Sequence, residues 1–168
     1  MNNALLGLLG LVALGAITNL INNGDFEQGA QGWSLSHGWY QKPPGGGLSA
    51  MTVVEGEGRN GGKALKFVGN GKRGIAMQVF GVYPGQYRVS GWIKCEGLDH
   101  TGASILCEWM SKDGKWLRGD TAGTVTGTTD WQHFDTVVEA PGEARSVHFD
   151  LLTGEPNNGA VWFDDLAM

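Results

Sequence analysis

The hydrophobic positions of this chain follow two different patterns, and the change falls close to Asn19. Residues 4–17 carry no charge, and only glycine interrupts their apolar side chains. The leucines of this stretch cover the whole circumference of a helix, so no face is left for water. The pattern predicts a hydrophobic α-helix over residues 1–18. Its predicted assembly surface consists of leucines and the glycines that let backbones approach closely: Leu5, Gly7, Leu8, Gly10, Leu11 and Leu14.

Three interpretations of this segment remain open. A membrane-spanning helix needs about 20 apolar residues, and this run is shorter. A secretory signal peptide has a basic region before its apolar stretch, and only Met1, Asn2 and Asn3 precede the run here. A helix that is apolar all round is unstable alone in water but stable among copies of itself. Self-assembly is therefore the leading interpretation, with membrane anchoring and an uncleaved signal as alternatives.

After Asn19 the helical period disappears, and short runs of alternating apolar and polar residues follow one another. Turn dipeptides such as Asn60-Gly61 and Pro84-Gly85 separate these runs, because glycine accepts a positive φ and proline presets its own. The predicted strands cover residues 20–21, 64–68, 75–82, 86–94, 103–110, 131–139, 145–152 and 160–166. This spacing predicts an all-β, two-sheet antiparallel β-sandwich of the jelly-roll type over residues 19–168. Residues 40–62 are predicted to be a long irregular loop.

Composition and charge exclude several classes of function. The net charge is −5, and the 12 Lys and Arg residues are scattered, which argues against binding to a nucleic-acid backbone. The run from Gly69 to Gly74 fits a dinucleotide-binding fingerprint, but a strand follows it where a helix is required. No catalytic motif is present, so the chain is predicted not to be an enzyme. Cys95 and Cys107 flank a predicted turn and are either bridged or free and buried.

Five segments, in order along the chain, resemble carbohydrate-binding modules of the family 4/9 type. They are residues 19–27 with Gly32-Trp33, residues 62–67, residues 82–94, residues 131–134 and residues 161–166. The resemblance implies a non-catalytic jelly roll with a glycan cleft on one sheet. It does not cover the first 18 residues.

The resemblance also implies a structural Ca²⁺ ion near the meeting point of the first and last strands. Hard cations of this kind bind several carboxylate and carbonyl oxygens. The residues that match the ligand positions are the carbonyl of Gly24 and the carboxylates of Glu27, Glu57, Asp164 and Asp165. The alternative is that these acids are ordinary surface charges.

A glycan site requires an aromatic platform next to groups that hydrogen-bond sugar hydroxyls. Strand alternation predicts that Trp92, Gln78, His148 and Asp150 share the outward face, with Trp109, Trp116, Trp39 and Tyr40 at the rim. Trp33, Trp131 and Trp162 are assigned to the core. In the alternative interpretation, the loop at residues 40–62 covers Trp92, which then only packs.

Together these patterns predict an extracellular, non-catalytic subunit whose sugar-binding domain is displayed by the N-terminal helix on a filament, a cell surface or a virion. Its predicted partners are other copies of itself, glycan and, through the helix, a membrane. Two alternatives remain. The domain is a purely structural subunit without a sugar site, or it is a secreted accessory module of a polysaccharide-degrading system.

Overall fold

A computed structural model describes residues 18–35 and 50–168. The predicted assembly helix, together with Trp39 and Tyr40, lies outside these residues. The described part of the chain is all-β and forms one antiparallel sheet with the strand order β1-β2-β7-β4-β6-β3, and β5 pairs with β4. The strands are β1 (Ala50–Glu55), β2 (Lys63–Val68), β3 (Ile75–Gly81), β4 (Gly85–Ser111), β5 (Trp116–Ala140), β6 (Ala144–Thr153) and β7 (Ala160–Ala167). Within residues 18–35 and 50–168, no helix is long and apolar enough to cross a membrane.

The two long strands β4 and β5 connect the two halves of this sheet. The first part of β4 pairs with β7, its second part pairs with β6, and β5 accompanies both parts. Register shifts in the β4–β5 pairing interrupt the ladder between Ile93 and Ala103, where Gly97 and Gly102 adopt positive φ angles. Bulges and glycines of this kind bend a strand, so the sheet curls around its own core.

The long strands correct several predictions. The turn expected around residues 97–102 does not reverse the chain, so residues 86–94 and 103–110 belong to one strand instead of a hairpin. Cys95 and Cys107 are therefore not paired across a hairpin, and both are free and buried. Burial raises the pKa of the Cys107 thiol to about 12, which disfavours the thiolate form. Strand β1 and the first half of β5 were not predicted, and residues 20–21 form no strand.

The core lies on the inner face of the curled sheet. Alternate residues of β4 and β6, including Ile93, Ile105, Phe149 and Leu151, are fully buried there. Trp33 joins this core, as predicted, and its ring packs against Phe149. Trp162 is buried as well, but it lies on the outer face beneath the ammonium groups of Lys66 and Lys94. Trp131 is only half-buried.

Candidate functional site

Polar and apolar side chains form three cross-strand rows on the outer face of one half of the sheet. This half consists of β3, β6, the second part of β4 and the first part of β5. Residues directly opposite each other on neighbouring strands share a face of the sheet. The middle row contains Gly119, Glu108, His148 and Val79. The rows on either side contain Thr121, Leu106, Asp150 and Met77, and then Trp116, Met110, Ser146 and Gly81. We call these twelve residues the Glu108 face.

A pair of carboxyl groups forms the centre of the Glu108 face. Asp150 is only 2% exposed, and Glu108, which is half-buried, hydrogen-bonds to it. Among residues 18–35 and 50–168, the buried Oδ1 atom of Asp150 has no hydrogen-bond donor. Burial, followed by the charge of Glu108, raises the pKa of Asp150 to about 8. Burial therefore favours the protonated form of the Asp150 carboxyl group, because its raised pKa opposes ionisation.

Apolar groups and an open space surround the carboxyl pair. Trp116 and Val79 are each 54% exposed, Trp116 at a corner of the face on β5 and Val79 at the end of the middle row on β3. Gly119 stands opposite Glu108, and a Cβ added there would lie 3.4 Å from Leu106 Cδ1 and 4.0 Å from Glu108 Cγ. The absence of a side chain at this position leaves the flank of Glu108 uncovered. The face thus offers an aromatic surface, a carboxyl pair and an imidazole, which is the chemistry that sugar binding requires.

Three of the predicted glycan-binding residues come together here: His148, Asp150 and Trp116. Sequence reasoning missed Glu108. The signal for Glu108 was available, because residues 103–110 alternate and place Glu108 on the polar side with Ser104 and Leu106.

Two predicted residues lie on the opposite, inner face. Gln78 pairs with the core residue Phe149 and exchanges two hydrogen bonds with the backbone of Asn22, at 3.1 Å and 2.6 Å. Its amide therefore fixes the first segment of the domain to β3. Trp109 is fully buried, and its indole N–H donates a 2.7 Å hydrogen bond to Asp120. Neither side chain reaches the Glu108 face.

Trp92 lies on the outer face of the other half of the sheet, and its ring is covered. The guanidinium of Arg59 lies 4.5 Å from the ring centroid, and the imidazole of His133 stacks on the ring at a centroid distance of 4.7 Å. Because stacking on a sugar requires an open aromatic face, this contact favours the packing interpretation of Trp92. Its cover comes from within the predicted 40–62 loop, since Arg59 belongs to that loop.

The predicted calcium ligands contact protein donors instead of converging on a common point. The Glu27 carboxylate accepts the N–H of Lys63 at 2.8 Å, and the Gly24 carbonyl accepts the N–H of Leu166 at 3.0 Å. Glu57 binds the Lys66 ammonium at 2.9 Å and the Trp162 indole N–H at 2.7 Å, and both lower its pKa. Within the part of the chain that the structure describes, no three Asp, Glu, His or Cys residues group in a way that would hold a metal ion.

Arg59 engages the last two predicted ligands. Its backbone N–H donates to Asp164 Oδ2 at 2.9 Å, and its guanidinium contacts Asp165 Oδ2 at 2.6 and 2.7 Å. Burial raises the pKa of Asp164 to about 6, although the N–H groups of Arg59 and Asp165 oppose that change. Backbone N–H groups, the Trp162 indole or cationic side chains therefore already engage each of these residues, and the calcium ion stays a prediction.

We expect a chelator to leave the thermal stability of the folded chain unchanged. A bound ion stabilises the native state by mass action, so removing a structural Ca²⁺ ion would lower the melting temperature. Differential scanning calorimetry with 5 mM EDTA and with 5 mM CaCl₂, at matched ionic strength, should give the same melting temperature within about 1 °C. A melting temperature that rises with Ca²⁺ and falls with EDTA would restore the predicted calcium site.

The carboxyl pair predicts how stability changes with pH. The pKa of Asp150 is raised in the folded state, so its stabilising contribution is present at low pH and is lost as the pH rises towards about 8. Asp150→Asn removes this titration. Between pH 6 and 9, the free energy of unfolding of the wild type should fall by about 2–3 kcal/mol relative to the variant, as measured by urea denaturation. Parallel pH profiles of the two proteins would contradict the assignment.

Comparison with solved structures places the fold among carbohydrate-binding modules. The chain superposes on a "Family 16 Carbohydrate Binding Module-2" with a TM-score of 0.67 and 24% identity, covering 88% of this chain and 97% of that one. For TmCBM61 in complex with β-1,4-galactotriose, the TM-score is 0.58 and the identity 20%, with coverage of 89% and 97%. For the CBM22-1-GH10 modules of Clostridium thermocellum xylanase 10B, the TM-score is 0.65 and the identity 19%, with coverage of 90% and 28%.

No protein-family model matches the chain, and no curated protein does. The fold is therefore the jelly roll of carbohydrate-binding modules. These neighbours belong to families 16, 22 and 61, so membership of the 4/9 type stays a prediction.

Proposed function

We propose that the chain is a non-catalytic carbohydrate-binding module that binds a polysaccharide on the Glu108 face. The observation that carries this proposal is the half-exposed indole of Trp116 on the same face as Glu108 and His148. An aromatic ring packs on the C–H side of a sugar, while carboxyl and imidazole groups bind its hydroxyls. The shared fold supports the proposal, because the neighbours include a module bound to a galactotriose.

The geometry of the carboxyl pair argues against glycoside hydrolysis. The two catalytic carboxyl groups of glycosidases stand about 5 Å or more apart, with the scissile bond between them. Glu108 and Asp150 hydrogen-bond to each other directly, which leaves no room for a glycosidic bond. The pair is therefore suited to binding sugar and not to cleaving it.

Binding to a panel of polysaccharides tests the proposal. Native affinity electrophoresis with soluble xylan, glucomannan, galactan, β-glucan and chitosan should retard the chain in at least one gel, since a polymer ligand slows the protein that it binds. A reducing-end assay of the same polysaccharides after incubation with the chain tests for hydrolysis, and we expect no new reducing ends. A chain that none of these polymers retards would favour the rival function of a structural subunit without a sugar site.

Display by an apolar N-terminal helix completes the proposal for the full-length protein. Many copies on a filament, cell surface or virion would convert weak single-site affinity into avidity. The alternative of a secreted accessory module predicts a mature protein that lacks the apolar segment, which mass spectrometry of the native protein would reveal. Electron microscopy of the full-length chain tests the display itself, because dispersed monomers without detergent or lipid would contradict it.

A further inference from the structure

The Glu108 face carries two carboxyl groups and one imidazole. Its twelve described residues include Glu108 and Asp150 but no lysine or arginine. Besides the pair, the one titratable group in these three rows is His148 on β6. The β3 and β5 positions of the two rows that contain the pair hold residues without a titratable group: Val79, Met77, Gly119 and Thr121. Lys112 and Lys115 belong to the turn between β4 and β5, outside the three rows.

The carboxyl pair also has unused hydrogen-bonding capacity. In the described part of the chain, Asp150 Oδ1 lacks a donor although the residue is only 2% exposed, and an unpaired buried polar atom is costly to the folded state. Glu108 is half-buried, and the glycine opposite leaves its flank open. A cationic group that reaches Glu108 through this opening would meet a carboxylate backed by a second carboxyl group, and charge-assisted hydrogen bonds of this kind are about twice as strong as neutral ones.

On the basis of the carbohydrate-binding function proposed above, we propose that the Glu108 face selects sugars by charge and prefers polysaccharides with protonated amino groups, of the glucosamine type. A neutral sugar would gain only ordinary hydrogen bonds from the same groups. A uronic acid polymer would place its carboxylates against Glu108 and be rejected, since like charges in a partly buried site repel strongly.

Isothermal titration calorimetry at pH 6 compares four hexasaccharides that differ in charge. They are a β-1,4-glucosamine oligomer, its N-acetylated form, a β-1,4-glucose oligomer and an α-1,4-galacturonate oligomer. We expect the glucosamine oligomer to bind at least about tenfold more tightly than its N-acetylated form, and the galacturonate oligomer to show no binding. The N-acetylated form is the matched control, because it has the same backbone without the positive charge.

One isosteric variant locates the selectivity. Glu108→Gln keeps the shape of the side chain, and its melting temperature reports whether it folds. Glu108→Gln should reduce the preference for the amino sugar to less than about threefold. As a separate variant, Gly119→Leu should weaken binding of every oligomer, because its side chain would cover the open flank of Glu108.

The outcomes distinguish this inference from the function on which it rests. If the neutral oligomers bind as tightly as the glucosamine oligomer, charge selection is overturned while sugar binding stands. The same conclusion follows if the preference survives Glu108→Gln in a folded variant. If none of the four oligomers binds and no polysaccharide of the panel retards the chain, both proposals fail.

Discussion

Trp116→Ala is expected to weaken polysaccharide binding by about 10- to 30-fold, which corresponds to about 1.4–2 kcal/mol. The indole is 54% exposed at one corner of the Glu108 face, so it supplies the largest aromatic surface that a sugar ring can cover there. Its removal leaves no buried cavity, and the fold should be retained. Isothermal titration calorimetry with the tightest polysaccharide of the panel measures the loss, and the melting temperature should change little.

Trp92→Ala is the matched control for this prediction. Both variants remove a tryptophan from the outer surface of the sheet, but the ring of Trp92 contacts both Arg59 and His133. We expect its removal to leave the affinity within about twofold and to lower the stability instead, since it deletes a packed aromatic and a cation–π contact. The reverse pattern, in which Trp92→Ala abolishes binding and Trp116→Ala does not, would contradict the Glu108 face as the site.

Arg59→Ala is expected to lower the free energy of unfolding at pH 7 by about 2 kcal/mol. The side chain contacts Asp165 and covers the ring of Trp92. Its loss leaves the carboxylates of Asp164 and Asp165 without a cationic partner at the end of the last strand. The side chains of Arg59 and Asp165 are about one-third exposed, so water screens part of the interaction and the expected cost is below that of a fully buried pair. Urea denaturation at pH 7 measures the change.

Arg88→Ala provides the control for this second prediction. Arg88 also forms a bidentate ion pair, with Asp135, but its side chain is 71% exposed. Exposed pairs contribute little, so this variant should be close to the wild type in stability. Equal stability of the Arg59 and Arg88 variants would show that the contacts of Arg59 with Asp165 and Trp92 do not stabilise the domain. A Ca²⁺-dependent gain in the stability of Arg59→Ala alone would indicate that the guanidinium takes the place of a cation.

Much of the strand pattern could be predicted from the sequence, because alternation is a local property of the backbone. Strands β2, β3 and β6 and most of β7 lie where the alternation placed them, to within a residue or two. The same parity brought His148 and Asp150 to one face, two positions apart on β6. Strand β1 was missed, because the glycines around it made residues 40–62 look like a loop.

The sequence could not predict which face of each strand points towards the core. In β3, parity separates Gln78 from Met77, but it does not say which of them faces the core. The polar residue Gln78 points inward, because the backbone of Asn22, 56 residues earlier, supplies partners for its amide. The accessibility of the Trp92 ring likewise depends on Arg59, which is distant in sequence and contacts the ring only in the folded chain.

The sequence by itself determined the fold class: an all-β domain, predicted from alternating strands, turn dipeptides and segments that resemble a carbohydrate-binding jelly roll. Only the tertiary structure decided which side chains share the Glu108 face and which groups contact the acids at the last strand. The reason is that strand alternation depends on the nearest two residues, whereas exposure and charge compensation depend on groups that the fold brings from far along the chain. One flank of Glu108 is uncovered because Gly119 stands opposite it, and Asp165 has a cationic partner because Arg59 contacts it.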